Sequence, residues 1–294
     1  MPKRGNDLNA SEQIIAKQIE WAKNKGLQLI GSAGNRGRKV YTTRIADNLF
    51  KSLNEKTKKE LEGGDGGELK SKAGQPAKIQ ALHSSSALGI NLFDYWREES
   101  DLSLLFSACG LSRAGSKLSG EIQFEQKFPI DDRFQYSPNL DVVFFPSQPF
   151  KFKVFAIECK FTEAYSSRRH GGLDQKYFTN GTVWENLSAT KHLAQEISPD
   201  DSRFEYLHAA QLIKHILALN RKFCHSRYRL LYLWYDTLGE PGFRHRQEVE
   251  QFTEVVRSDG VQFHAITYQE LIVRLAQHRE QHKDYVAYIT ERYL

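Results

Sequence analysis

Two carboxylates and one lysine interrupt a stretch that otherwise reads as buried sheet. Residues 138–161, PNLDVVFFPSQPFKFKVFAIECKF, contain Asp141, Glu158 and Lys160 among apolar, β-branched and aromatic neighbours. The pattern predicts one strand over Leu140–Phe145, turn chemistry from Pro146 to Pro149, and a second strand over Phe152–Phe161. Charges inside buried strands are costly unless they are paired or hold a cation. A simple antiparallel hairpin turning at residues 149–150 sets Asp141 directly opposite Glu158. Directly opposed residues point to one face, and Lys160, two residues beyond Glu158, points there too, while Cys159 points away. Facing carboxylates repel unless a proton or cation lies between them. All-oxygen ligation suits Mg2+ or Mn2+, which accept one or two carboxylates together with waters and substrate phosphate. A neighbouring ammonium adds charge that can orient an attacking water and stabilise a transferring phosphoryl group. The competing chemistry is a salt bridge between Lys160 and either acid, and the aspartate in register favours the metal.

Pro138-x-x-Asp141, sixteen intervening residues, and then Glu158-Cys159-Lys160 resembles the PD-(D/E)xK nuclease superfamily, the fold of many restriction endonucleases. The resemblance spans residues 83–270. In this chain Asn139 and Leu140 separate the proline from the aspartate, so it is Asp141 that carries over. The resemblance implies Asp141 and Glu158 as metal ligands, a further contact from the backbone carbonyl of Cys159, and Lys160 as the catalytic lysine. Such folds place a helix before the first strand, and that helix often supplies an extra acid. Glu98 and Glu99 are the candidates there, with Glu99 taken into the metal set, and Glu125 on the first strand is a third. Gln211-x-x-x-His215 resembles a glutamine and its partner found on the helix after the catalytic strand in some of these nucleases, which makes Gln211 a supporting catalytic residue.

The surrounding pattern supplies the elements that must position these groups. Helices are expected over Ser11–Leu27, Thr43–Glu62 and from Ser84–Ser86 through Trp96 or beyond. Gly120–Phe128 alternates as the first strand of a meander with Ile122, Phe124 and Phe128 inward. Phe204–Phe223 carries the broadest apolar helical stripe, Tyr228–Tyr235 and Val261–Tyr268 read as buried strands, and Gln269–Leu294 as one long terminal helix. The order predicts an α/β, restriction-endonuclease-like three-layer core: a mixed central sheet flanked by helices, with a helical N-terminal region. Two parts are expected, a basic helical region over 1–77 and a nuclease domain over 78–294, joined near a glycine-rich segment, Gly63–Lys72, that reads as a mobile loop.

The charge is uneven: the first sixty residues hold thirteen Lys/Arg against six Asp/Glu, in a chain of net charge +5. Gly31–Lys39 is basic and glycine-rich but lacks the Gly-Lys-Ser/Thr ending of a phosphate-binding loop. Arg36, Arg38 and Lys39, then Arg168 and Arg169, and Lys214 are the expected nucleic-acid contacts. The three cysteines are far apart and show no zinc spacing, and no apolar run could span a bilayer. A cytoplasmic protein with no membrane association is expected. The expected activity is a Mg2+- or Mn2+-dependent endonuclease on DNA, of restriction or defence type. A homodimer is expected because cutting both strands of a duplex commonly needs two active sites. The alternative is a non-catalytic nucleic-acid-binding protein on the same fold.

Overall fold

The computed structural model describes residues 8–33, 36–72, 74–113, 115–166, 170–179 and 181–294. Arg168 and Arg169 lie outside the described residues. In chain order the regular elements are α1 (Ala10–Asn24), β1 (Leu29–Ile30), β2 (Tyr41–Thr42), α2 (Glu55–Gly63), α3 (Ser85–Phe93), α4 (Ser103–Ala108), β3 (Gly120–Lys127), β4 (Asn139–Pro146), β5 (Val154–Lys160), α5 (Ser188–Glu196), α6 (Ala209–Phe223), β6 (Tyr228–Trp234), α7 (Glu240–Ser258), β7 (Phe263–Thr267), α8 (Tyr268–Ala276) and α9 (Lys283–Tyr293). Short 3-10 turns punctuate them.

The main sheet runs β3-β4-β5-β6-β7. β3, β4 and β5 form the antiparallel meander, and β6 and β7 add in parallel. Parallel pairing needs a crossover, and α6 and α7 provide it. β5 is central and buried on both faces, which is why its sequence is an apolar run rather than an alternation. The β4–β5 ladder pairs Val142 with Ile157, Val143 with Ala156 and Phe144 with Phe155. Continued by one residue, this register sets Asp141 opposite Glu158.

Helices cover both faces. α5, α6 and α7 bring Leu193, Ile213, Ile216, Val249 and Phe252 against Val143, Val154, Ala156, Leu230 and Tyr232. On the other face α3, α4, α8 and α9 bring Leu88, Phe106, Leu271 and Ile289 against Phe144, Phe155, Ile157 and Leu233. Ala10, Ile14, Leu49 and Leu61 belong to that same apolar cluster, so residues before 78 share the sheet's core. No helix of the described residues is long and apolar enough to cross a membrane.

Three local expectations change. Thr43–Glu62 is a 3-10 turn over Ile45–Asn48, an extended link and then α2. The buried Asn48 amide donates to the carbonyls of Ile79 and Ala81, at 2.7 and 2.8 Å, and Asn54 caps α2 by accepting from the Thr57 N–H. The terminal helix is broken into α8 and α9 by residues 277–282, which are all polar, and His282 fixes the turn by bonding the Tyr95 hydroxyl at 2.8 Å and packing 4.6 Å from the Trp96 ring. The glycine-rich segment is packed, not free: Lys127 donates to the Gly63 carbonyl and Asp65 carboxylate, and the Glu68 carbonyl accepts from the Ile79 N–H.

The two ends of the chain are joined through Arg292, whose side chain is 1% exposed. Its guanidinium donates to Gln18 Oε1 (3.1 Å), to the Asn48 carbonyl (2.8 Å), to the Tyr288 hydroxyl (2.6 Å) and to Asn48 Oδ1, and it lies 4.2 Å over the Trp21 ring. Truncation strands several buried acceptors at once. Arg292→Ala is expected to lower unfolding free energy by about 3 kcal/mol or more in urea titrations. Glu291→Ala, which removes only an exposed pair with Lys25, is expected to cost less than about 1 kcal/mol.

Candidate active site

Strand alternation places Asp141, Glu158 and Lys160 on the sheet face that α6 covers, since Val143 and Ala156 pack into that layer. Glu158 is 1% exposed and Lys160 is 14% exposed along its side chain. Lys160 Nζ donates to Glu158 Oε1 at 2.7 Å. Asp141 Oδ2 accepts from the Cys159 backbone N–H at 2.7 Å. His215 of α6 brings Nε2 to 2.9 Å from Glu158 Oε2, but at an angle that is not a hydrogen bond, so Glu158 Oε2 and both imidazole nitrogens stay buried without a hydrogen-bonding partner.

The electrostatics follow from this packing. Burial raises Glu158, but Lys160 and His215 more than offset it and hold the carboxyl at about 2. Asp141 is pushed well above the usual carboxylate range, by burial and then by Glu158, against the pull of Lys160. Burial lowers the Lys160 ammonium, yet Glu158, Glu163 and Asp141 together raise it, so it stays cationic. One carboxylate is thus fixed as an anion beside a permanent cation, while its neighbour is repelled.

Glu125 is the upstream acid whose charge reaches Asp141 and Glu158. In the β3–β4 register it falls opposite Asp141, between the pairs Phe124–Val142 and Gln126–Leu140. Its φ of 54° is left-handed, a strained conformation for a glutamate within a strand. The carboxylate accepts from the Asn139 amide and packs against Gly64, where a Cβ would lie 2.5 Å from Oε2. Glycine at 64 is therefore a requirement of Glu125's placement. Burial, opposed by Asn139 and reinforced by Glu68 and Glu158, pushes Glu125 up to about 7. Glu68, from the glycine-rich segment, is itself raised by burial and lies within reach of Lys78, Ser86 and Glu163.

The other expected residues divide. His215 is at the site, whereas Gln211, one turn earlier on α6, makes no side-chain hydrogen bond among the described residues. Glu99 lies beside Tyr95, and Glu98 pairs with Lys51 at 2.6 Å; neither contributes to the field at Asp141, so the acid expected from that helix is not brought to the site. Lys214 is held 5.6 Å over the Tyr177 ring and burial lowers its pKa, so it is not a free surface cation. Arg36, Arg38 and Lys39 are exposed. Arg38 is close enough to add to the effect of burial in lowering His83, whose carbonyl accepts from Thr162 two residues past Lys160.

Lys160 also lines a cleft of about 280 Å³ with Glu163, Ser166, His170, Tyr206 and His208. Its wall is fixed from a distance. The Glu248 carboxylate on α7 accepts the backbone N–H groups of Glu205, Tyr206 and Leu207 at 2.7–2.8 Å, which sets the turn leading into His208 and α6. No apolar periodicity marks Glu68 or His208, and only the type of residue beside a helix start could have drawn attention to the latter.

A family model described as restriction endonuclease associating with ARP matches residues 8–294. The chain belongs to that family. The family is one of restriction-type endonucleases by its description, and the five-stranded mixed sheet between helical layers is a restriction-endonuclease-like core. Comparison with curated proteins and with solved structures finds no match. Among the described residues, no group of three or more His, Cys, Asp or Glu side chains is arranged as a metal cage. The donor set of this family member suits a hard cation that keeps most of its waters: two carboxylates, one of them with a buried oxygen that makes no hydrogen bond, and a main-chain carbonyl. In an extended strand N–H and C=O of one residue point the same way, so the Cys159 carbonyl faces the side on which Asp141 takes its N–H.

Because the folded state raises the Asp141 pKa above the unfolded value, it binds more protons than the unfolded chain, and stability from this group falls as pH rises from about 4 upward. Asp141→Asn keeps the acceptor for Cys159 and removes the repulsion. In EDTA it is expected to raise unfolding free energy at pH 8 by about 1 kcal/mol or more, with the gain shrinking toward pH 4. A variant less stable than the parent at pH 8 contradicts this electrostatic description.

Proposed function

We propose that this chain is a PD-(D/E)xK nuclease that hydrolyses phosphodiester bonds in DNA with Mg2+ or Mn2+. The observation that carries the reading is the convergence of Asp141, Glu158 and Lys160 on one face at the end of the central strand, with Glu158 Oε2 buried beside His215 yet making no hydrogen bond. Membership of a restriction-type endonuclease family supports it. Asp141, Glu158 and the Cys159 carbonyl would hold the metal, which would supply Lewis acidity to activate water and offset charge on the phosphate. Lys160, kept charged and oriented by Glu158, directs the attacking water and stabilises the charge that develops on the phosphoryl oxygens. Water oxygen bonds to phosphorus as the phosphorus–oxygen ester bond breaks. His215 approaches the Glu158 oxygen that Lys160 does not hold, and Gln211, one turn earlier on α6, is a supporting residue. Arg36, Arg38 and Lys39 contact backbone phosphates near the end of β5 that carries the site, where His83 and Thr162 bring their loop. Cutting both strands of a duplex would use two copies of the chain.

Purified protein against plasmid and single-stranded DNA, with Mg2+, Mn2+ or EDTA, tests the reading. Metal-dependent cleavage is expected, with Lys160→Ala and Asp141→Ala reducing the rate by at least about 100-fold. Cleavage that survives either change would sink the assignment of the site. Salt-dependent DNA binding without cleavage in any metal would instead identify a non-catalytic binding protein.

A further inference from the structure

The cleft beside Lys160 contains two histidines that the hydrolytic assignment leaves unused. His170 and His208 stack with centroids 4.6 Å apart and planes 17° from parallel. Both line the cleft together with Lys160, and His170 Nε2 is buried without a partner. An imidazole that stacks this closely on another is disfavoured as a cation, and here Lys160 adds to the repulsion. Burial, then His170 and Lys160, lower His208 to about 4, and burial lowers His170 despite Asp201. The pair therefore meets its ligand as two neutral rings beside a fixed ammonium, with the backbone of Glu205 and Tyr206 hydrogen-bonded to His170 and its Nε2 left over. The charged groups facing it are Lys160, Glu158, Glu163, Lys214 and Asp201. An anion entering here gains the Lys160 charge, and its own charge favours protonation of the rings, which turns a free ring nitrogen such as His170 Nε2 into a donor.

We propose that the His170–His208 pair is a phosphate-binding subsite, next to the catalytic lysine, that receives a phosphodiester of the substrate strand adjacent to the one being cut. The subsite rests on the nuclease reading for its biological ligand, but its chemistry does not: it is a site for a phosphate oxyanion. Glu248, by fixing the turn at residues 205–207, is the residue that positions His208 in the cleft wall.

The test is imidazole NMR on the full chain in EDTA and a phosphate-free buffer. Inorganic phosphate is titrated first, then a short oligonucleotide, with His192 and His278 as reference rings. The resonances of His170 and His208 are expected to move with the oligonucleotide, and His208→Gln and His170→Gln each to weaken its binding about tenfold. Movement with inorganic phosphate in a protein that neither binds nor cuts DNA would uphold the subsite while the nuclease reading fails. Oligonucleotide binding or cleavage that leaves both rings unmoved would overturn the subsite while the nuclease reading stands. No response to either titrant overturns it as well. Because the titration uses the unaltered protein, misfolding of a histidine variant does not remove the test.

Discussion

The structure depends on how a glutamate can be kept ionised inside the central strand of a sheet covered on both faces. Glu158 lies where β5 is covered on both faces, a position at which an isolated carboxylate would be neutral or destabilising. Lys160 and His215 resolve this from two directions, one along the strand and one from the helix above. The parallel crossover through α6 is what brings His215 there, so the helix that seals the sheet also sets a ring nitrogen 2.9 Å from Glu158 Oε2. The balance is deliberately incomplete on one side: a Glu158 oxygen has no hydrogen bond, and Asp141 is left with a repelled charge. A cation would relieve both.

Strain and like charge accumulate around this point. Glu125 holds a left-handed backbone within β3, Gly64 gives up its side chain to make room for it, and Glu68 approaches from a glycine-rich segment. Such concentrations of unfavourable geometry persist where packing elsewhere over-determines the fold. Here that packing comes from the two apolar layers and from polar ties such as Glu60. Glu60 bonds Arg97 and the exposed edge of β3 together, accepting from the Phe124 N–H. The Arg292 cluster does the same for the two chain ends.

The hairpin and its register were legible because side-chain alternation has a period of two and prolines bracket the turn, so Asp141, Glu158 and Lys160 could be placed on one face from spacing alone. The order of strands and crossover helices was legible for a similar reason, in the apolar runs of residues 228–234 and 209–223. What was not legible came from contacts distant in sequence. Glu125 takes its place because Gly64 permits it, Glu68 adds its charge there from the glycine-rich segment, and His208 faces Lys160 because a carboxylate forty residues later on α7 fixes its turn. Glu99 sat on the expected helix, but the chain leaves that helix at Phe93 and turns the residue toward Tyr95.

Crystals of the protein soaked in Mn2+ and measured at an anomalous wavelength test the central claim most directly. The account predicts an anomalous peak within ligand distance of the Asp141 and Glu158 carboxylates and the Cys159 carbonyl. Absence of that peak in protein that cuts DNA with Mn2+, with the Glu158–Lys160 pair intact, would contradict it.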